Sequence, residues 1–159
     1  MKNILIIGAN GFTGRRILND LSVNPIYHVT GCSLRDDICP GKDYRFVRTD
    51  IRDENEVRKL FKECRPDIVI NTSALSVPDY CETHHAEAEA TNVTAVETIA
   101  HVCEQYGSRF IHLSTDFVFD GKSTRLYKEE DEAIPVNYYG VTTVSYTHLR
   151  AHETCADLV

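Results

Sequence analysis

Hydrophobic and polar positions along the chain switch between two periods, and the switches mark the elements. Residues 3–9, NILIIGA, are a short unbroken apolar run, which predicts a strand buried on both faces of a parallel sheet. GFTGRRILNDL then reads as a helix, YHVTGCSLR as a second strand and YRFVRTDI as a third. Val57, Leu60, Phe61 and Cys64 fall at i, i+3, i+4 and i+7, the buried face of a helix. Asp53 is placed to cap it, Glu56 completes a capping box, and Pro66 ends it. DIVINTSA predicts a fourth strand. A longer helix follows from about Ala86 to Tyr106, with Val93, Val96, Ile99, Ala100 and Cys103 inward and Gly107 as its C′ residue. RFIHLST reads as a fifth strand. Strands alternating with helices imply parallel βαβ units, hence a doubly wound parallel α/β sheet. Right-handed crossovers gather the strand C-termini, and any ligand, on one edge. No repeat, low-complexity tract or linker interrupts the pattern before residue 140.

The composition fits an ordinary globular domain: 159 residues, 42% hydrophobic and 26% charged, enough chain for one core. A net charge of −7 argues against a surface built for nucleic acid or an anionic membrane. An anionic small molecule needs only backbone amides and one or two arginines, so it stays compatible. The apolar run ILIIGA is too short for a signal segment or a membrane span. The six cysteines form no C-x-x-C pair, and the expectation is reduced thiols in a cytoplasmic protein, without a metal or redox role.

GANGFTG places Gly8, Gly11 and Gly14 as G-x-x-G-x-x-G, with Phe12 among them, between the first strand and the first helix. Such a turn needs positive φ, lets a pyrophosphate approach bare backbone, and brings helix close to strand. The helix N-terminus adds amides and partial positive charge for phosphates. At the first βα junction this predicts dinucleotide binding. The end of the second strand decides which dinucleotide. An acid there would bind the ribose 2′-OH and select NAD. The chain has instead Gly31, Cys32, Ser33, Leu34 and Arg35, so Ser33 and Arg35 are expected to meet a 2′-phosphate, favouring NADP with NAD as the alternative. Asp50 and Ile51, ending the third strand, are expected beside the adenine, with a plain turn role for Asp50 as the other reading.

RFIHLSTDFVFDG ends a strand in the hydroxyl pair Ser114-Thr115, and Tyr139 follows 24 residues after Thr115 at the start of a helix. With the glycine turn, NTSALSVPDYCE and NYYG, these stretches resemble the extended short-chain dehydrogenase/reductase superfamily. More narrowly, they are similar to the dTDP-4-dehydrorhamnose reductase family, over residues 1 to about 142. The resemblance implies a Rossmann-type fold and an NADP-dependent reductase of a nucleotide-activated 4-keto-6-deoxysugar, with a homodimer possible for the full-length protein. It implies that Thr115 hydrogen-bonds the keto oxygen, that Tyr139 donates a proton to it, and that Thr72, Ser73 and Ala74, after Asn71, run under the cofactor. Asn92 falls on a helix position that helps order such sites, although a helix-surface asparagine is an equal reading. Two other functions stay open: an NAD-dependent nucleotide-sugar epimerase or dehydratase, and a dinucleotide-binding regulatory subunit without turnover.

One position departs from the family. A lysine follows the family's tyrosine by four residues, on the same helix face, where its charge lowers the tyrosine pKa from about 10 and holds the nicotinamide ribose. Here Thr143 stands there, and lost proton-transfer assistance costs on the order of 10²–10⁴ in rate. Beyond it, VSYTHLRAHET loses the apolar period and resembles one reading frame of a transposon-derived sequencing adaptor. The expected organisation is therefore a cofactor domain over 1–143 that is incomplete at its C-terminal side, a non-native read-through tail over 144–159, and no C-terminal substrate lobe. On that expectation Thr143 is a junction product standing where lysine, or one of several other residues whose codons share its first base, belongs; the chain has no reductase activity, and its open sheet edge invites aggregation. His148 and His152 have zinc-like i, i+4 spacing with Glu153 adjacent, but without the H-E-x-x-H order no metal is expected; His84-His85 reads as a solvated helix start.

Overall fold

The computed structural model describes residues 1–40, 43–128 and 130–145. Five parallel strands form one sheet: β1 (Lys2–Ile7), β2 (Tyr27–Ser33), β3 (Arg45–Arg48), β4 (Ile68–Asn71) and β5 (Arg109–His112), in the order β3-β2-β1-β4-β5. Successive strands run outward from β1 to one side and then to the other, which is the doubly wound arrangement the alternating pattern predicts. Ile7 pairs in register with both Cys32 and Asn71, so β1, β2 and β4 end close to one level.

β1 is buried on both faces because its whole run is apolar. Leu5 and Ile7 pack with Val57, Leu60 and Phe61 of α2 (Glu54–Cys64) and with Ile99 and Val102 of α5 (Ala95–Tyr106). Ile4 and Ile6 pack on the other face with Leu18 of α1 (Phe12–Ser22) and with Val29. Burying a side chain the size of Phe61 stabilises by about 1.5–3 kcal/mol, and Phe61 is fully buried.

Two predicted elements differ in detail. Asp53 caps α2 as expected, accepting from the amides of Asn55 (2.8 Å) and Glu56 (3.4 Å). Glu56 does not close the box on Asp53; its carboxylate takes the Asp50 amide at 2.6 Å and so pins the end of the β3 loop. Arg65, at φ +42°, turns the chain out of the helix before Pro66. The long helix is α4 (His85–Glu89), a π-helical turn (Ala90–Thr94) and α5. Ala88, Asn92, Ala95, Val102 and Cys103 point inward with Val96 and Ile99, while Val93 and Ala100 are only partly buried. The remaining helices are α3 (Pro78–Cys81) and α6 (Tyr138–Ser145), and a 3₁₀ turn covers Asp116–Val118. No helix among the described residues is long and apolar enough to cross a membrane. The expected tail is described only as far as Ser145; His148, His152, Glu153 and Cys155 lie outside the described residues.

Candidate functional site

The glycine turn is built by two close approaches. Gly8 sits at φ +81°, and a Cβ there would stand 2.7 Å from the Ser73 amide nitrogen and 2.8 Å from Thr72 Oγ1. A Cβ at Gly14 would overlap the Gly8 carbonyl oxygen and Thr72 Oγ1, so glycine is required for α1 to pack this near β1. Thr72 closes the arrangement from β4, its hydroxyl donating to the Ile7 carbonyl at 2.9 Å. Gly11 precedes the first turn of α1 without any side-chain cap. The amides at the start of such a helix have no intrahelical acceptor and are ready for an anion. Phe12 opens α1 with its side chain almost wholly in solvent, at 96% exposure, so its part in any binding is that of its backbone.

Above this turn, at the C-terminal edge of the sheet, lies a cavity of about 300 Å³. It brings together Gly8, Gly11, Ser33, Asp50, Ile51, Thr72, Ser73 and Ala74 of the residues singled out from sequence. It also contains residues the sequence reading missed: Leu34, Thr49, Arg52, Leu75, Glu87 and Thr91. Arg52 grips Asp50 through Nε (2.9 Å) and Nη2 (2.7 Å), and this guanidinium is the main cause holding the Asp50 carboxyl below its ordinary range. A larger groove of about 410 Å³, lined by Asn3, Tyr27, His28 and Arg45 among others, lies at the opposite end of the strands, away from the glycine turn.

The loop after β2 is held by a network that sequence reading also missed. Asn10 Nδ2 donates to the carbonyls of Arg35 (3.2 Å) and Asp36 (2.9 Å). Arg15 donates to Asp37 Oδ1 (2.8 Å), Asn10 Oδ1 (2.7 Å) and the Tyr44 hydroxyl (2.8 Å), while Tyr44 donates to Asp37 Oδ2 (2.8 Å). Asp37, the second acid after the strand tip, is thus fully engaged. The Arg35 side chain is exposed and has no ion-pair partner among the described residues. The signal for this network was present in G-R-R after the last glycine, but only the folded loop pairs Arg15 with Asp37.

The second cluster forms beyond β4 and β5. Thr115 ends the β5 loop; its hydroxyl accepts from the Phe117 amide (3.3 Å) and donates to Asp116 Oδ1 (3.2 Å). Tyr139 lies one residue into α6, half-buried, its ring edge-to-face with Phe117 at 5.9 Å. A Cβ at Gly140 would overlap the Phe117 carbonyl, so this glycine lets α6 lie against the 3₁₀ turn. Burial raises the Tyr139 pKa above its ordinary value; the nearby hydroxyls of Thr115 and Thr143 offset part of that, and Cys81 and Asp116 add to it. Thr143 is buried at 4% exposure and donates to the Tyr139 carbonyl at 3.1 Å. It brings no charge to the phenol.

Asn92 is a buried residue, not a surface one. Its Oδ1 accepts from the Leu75 amide (2.8 Å), and its Nδ2 donates to the Leu75 carbonyl (3.1 Å) and to Thr142 Oγ1 (3.1 Å). Thr142, missed in the sequence, donates in turn to the Tyr139 carbonyl at 2.8 Å. Among the described residues no group of three or more His, Cys, Asp or Glu side chains is placed to hold a metal ion.

A doubly wound parallel sheet with a glycine turn at its first βα junction, and a cleft where the strand order reverses, defines the Rossmann-type class of α/β proteins. Within that class the chain belongs to the RmlD substrate binding domain family, whose profile matches residues 1–148. Among curated relatives, it is 35% identical over 143 residues to the probable low-salt glycan biosynthesis reductase Agl14 of Haloferax volcanii, covering 90% of this chain and 47% of that one. It is 31% identical to methionine adenosyltransferase 2 subunit beta of Bos taurus, covering 89% of this chain and 40% of the relative. Among solved structures, dTDP-4-dehydrorhamnose reductase from Bacillus anthracis in complex with NADP superimposes with a TM-score of 0.79 at 25% identity, over 91% of this chain and 48% of the other. The chain thus spans about half the length of the relatives it matches.

Proposed function

We propose that this chain is the cofactor-binding portion of an NADP-dependent reductase acting on the keto group of a nucleotide-activated 4-keto-6-deoxysugar, similar to dTDP-4-dehydrorhamnose. The observation that carries it is that the 3₁₀ turn capped by Thr115 packs through Phe117 against the Tyr139 ring, beyond the same sheet edge that holds the cleft. The residues fit the dinucleotide: the Gly8 and Gly14 cradle leaves no room for a Cβ, and the α1 amides lie beside it. Gly8, Gly11, the Phe12 amide and Gly14 would hold the pyrophosphate. Asp50 and Ile51 would border the adenine, and Thr72, Ser73 and Ala74 would form the floor.

Preference for the 2′-phosphate follows from the loop after β2. Asp37 is committed to Arg15 and Tyr44, so it is not available to the ribose diol, whereas Arg35, two residues after Ser33, is exposed and without an ion-pair partner among the described residues. The bound nicotinamide would supply hydride to the carbonyl carbon. Thr115 would hold the keto oxygen by a hydrogen bond, and Tyr139 would pass its phenolic proton to that oxygen. Its raised pKa keeps Tyr139 protonated at neutral pH, as a donor must be, but uncharged Thr143 leaves it a weak one. We also read residues 144–159 as non-native read-through, with lysine one of several residues that could be proper to position 143.

A second reading is a dinucleotide-binding regulatory subunit without turnover, favoured by a neutral, buried Thr143 and by the likeness to a methionine adenosyltransferase subunit. A threonine codon at 143 in independently read source DNA would support it, and a lysine codon the reductase. The cofactor reading is tested by titrating the chain with NADPH and with NADH. NADPH should bind more tightly, and R35A should remove the difference; equal affinities in the unaltered chain would overturn the assignment of Arg35.

A further inference from the structure

Three buried hydrogen bonds join parts of the site that are far apart in sequence. Leu75 ends the stretch that lines the cleft floor, and Thr91, next to Asn92, lines the same cleft. Thr142 lines none of it, yet it is fully buried and reaches the floor through one side chain, Asn92, which is 4% exposed. Asn92 holds both backbone groups of Leu75 and donates to the Thr142 hydroxyl, which itself donates a hydrogen bond to the carbonyl of Tyr139. The Asn92 amide is therefore saturated only when floor loop and α6 are both in place. Displacing either leaves a buried amide group without a partner, which is expensive in a dry interior.

Asn92 is buried in line with Ala88, Val96 and Ile99, at helical spacing through the π-helical turn (Ala90–Thr94), while Val93 is only partly buried.

We infer that Thr142 is a positioning residue that, through Asn92, couples occupancy of the cleft floor to the placement of Tyr139. The inference rests on the cofactor reading above. The coupling is reciprocal: ordering Leu75 under a bound dinucleotide fixes Asn92, which fixes α6 through Thr142, and loosening α6 weakens dinucleotide binding by the same factor. Thr142 is the better probe, because it touches neither the cleft nor the phenol.

The test compares the unaltered chain with T142V and T142S, measuring NADPH affinity by nicotinamide fluorescence, thermal midpoint, and the titration of Tyr139 by tyrosine ζ-carbon NMR assigned with Y139F. T142V keeps the shape and removes the hydroxyl; T142S keeps the hydroxyl. T142V should weaken NADPH binding by about five- to tenfold and shift the Tyr139 titration upward as its contacts with Thr115 and Thr143 loosen. T142S should restore both. A fall in thermal midpoint alone, with affinity and titration unchanged in T142V, would overturn the coupling and leave a purely structural hydrogen bond. If T142V does not fold, T142S and N92D carry the same comparison, and unchanged NADPH affinity in N92D overturns the inference. Absence of NADPH binding by the unaltered chain would instead overturn the cofactor reading, and the coupling with it.

Discussion

At the scale of single residues, the account turns on position 143. A threonine there is buried and hydrogen-bonded to the Tyr139 backbone, so it is comfortable in the fold; what it lacks is charge. A cation one helical turn from a phenol favours the phenolate, and burial in this structure pushes the other way. T143K should therefore move the Tyr139 titration downward, toward or below the ordinary tyrosine range, as read by ζ-carbon NMR. An unchanged titration in a folded T143K would mean that the lysine does not reach the phenol. Much of the residue-level site was legible: glycines constrained by close packing declare themselves by spacing, and Thr115 and Tyr139 by the motifs around them. Arg15, Arg52 and Thr142 were not, because each acts through a partner that only the fold supplies.

At the scale of elements, the strands were readable because buried parallel strands are continuous apolar runs, and α2 because its stripe is regular. The long helix was readable in extent but not in phase. Its apolar spacing suits an unbroken α-helix, and nothing local announces that residues 90–94 widen into a π turn. Glu56 shows the same limit: the capping-box spacing is present, but the loop that ends β3 offers the Asp50 amide, and the carboxylate goes there. Asp50, expected beside a ligand, is thereby fixed from two sides, by Glu56 through its backbone and Arg52 through its side chain.

For the whole molecule, the sheet collects both clusters on one edge, and its outer strand carries a further consequence. His112, at the end of β5, is half-buried, and the desolvation of its imidazole lowers its pKa from 6.5 to about 4. Between those values the unfolded chain binds a proton that the folded chain refuses. Stability from this group is thus full above about pH 6.5 and is lost as pH falls toward 4, by roughly 3 kcal/mol in all. Urea midpoints measured from pH 7.5 to 4.5 should fall for the unaltered chain and fall less for H112N; parallel curves would contradict the burial of this imidazole.

On the proposed function the dinucleotide lies over the glycine turn rather than in the larger groove at the other end of the strands. Backbone amide NMR of the labelled chain titrated with NADPH distinguishes the two sites. Saturable shifts are expected to concentrate at Gly8–Gly14, Asp50–Arg52 and Thr72–Leu75, with little change at Asn3, Tyr27 or Arg45. Shifts centred on Asn3, Tyr27 and Arg45, or no saturable shifts at all, would contradict it.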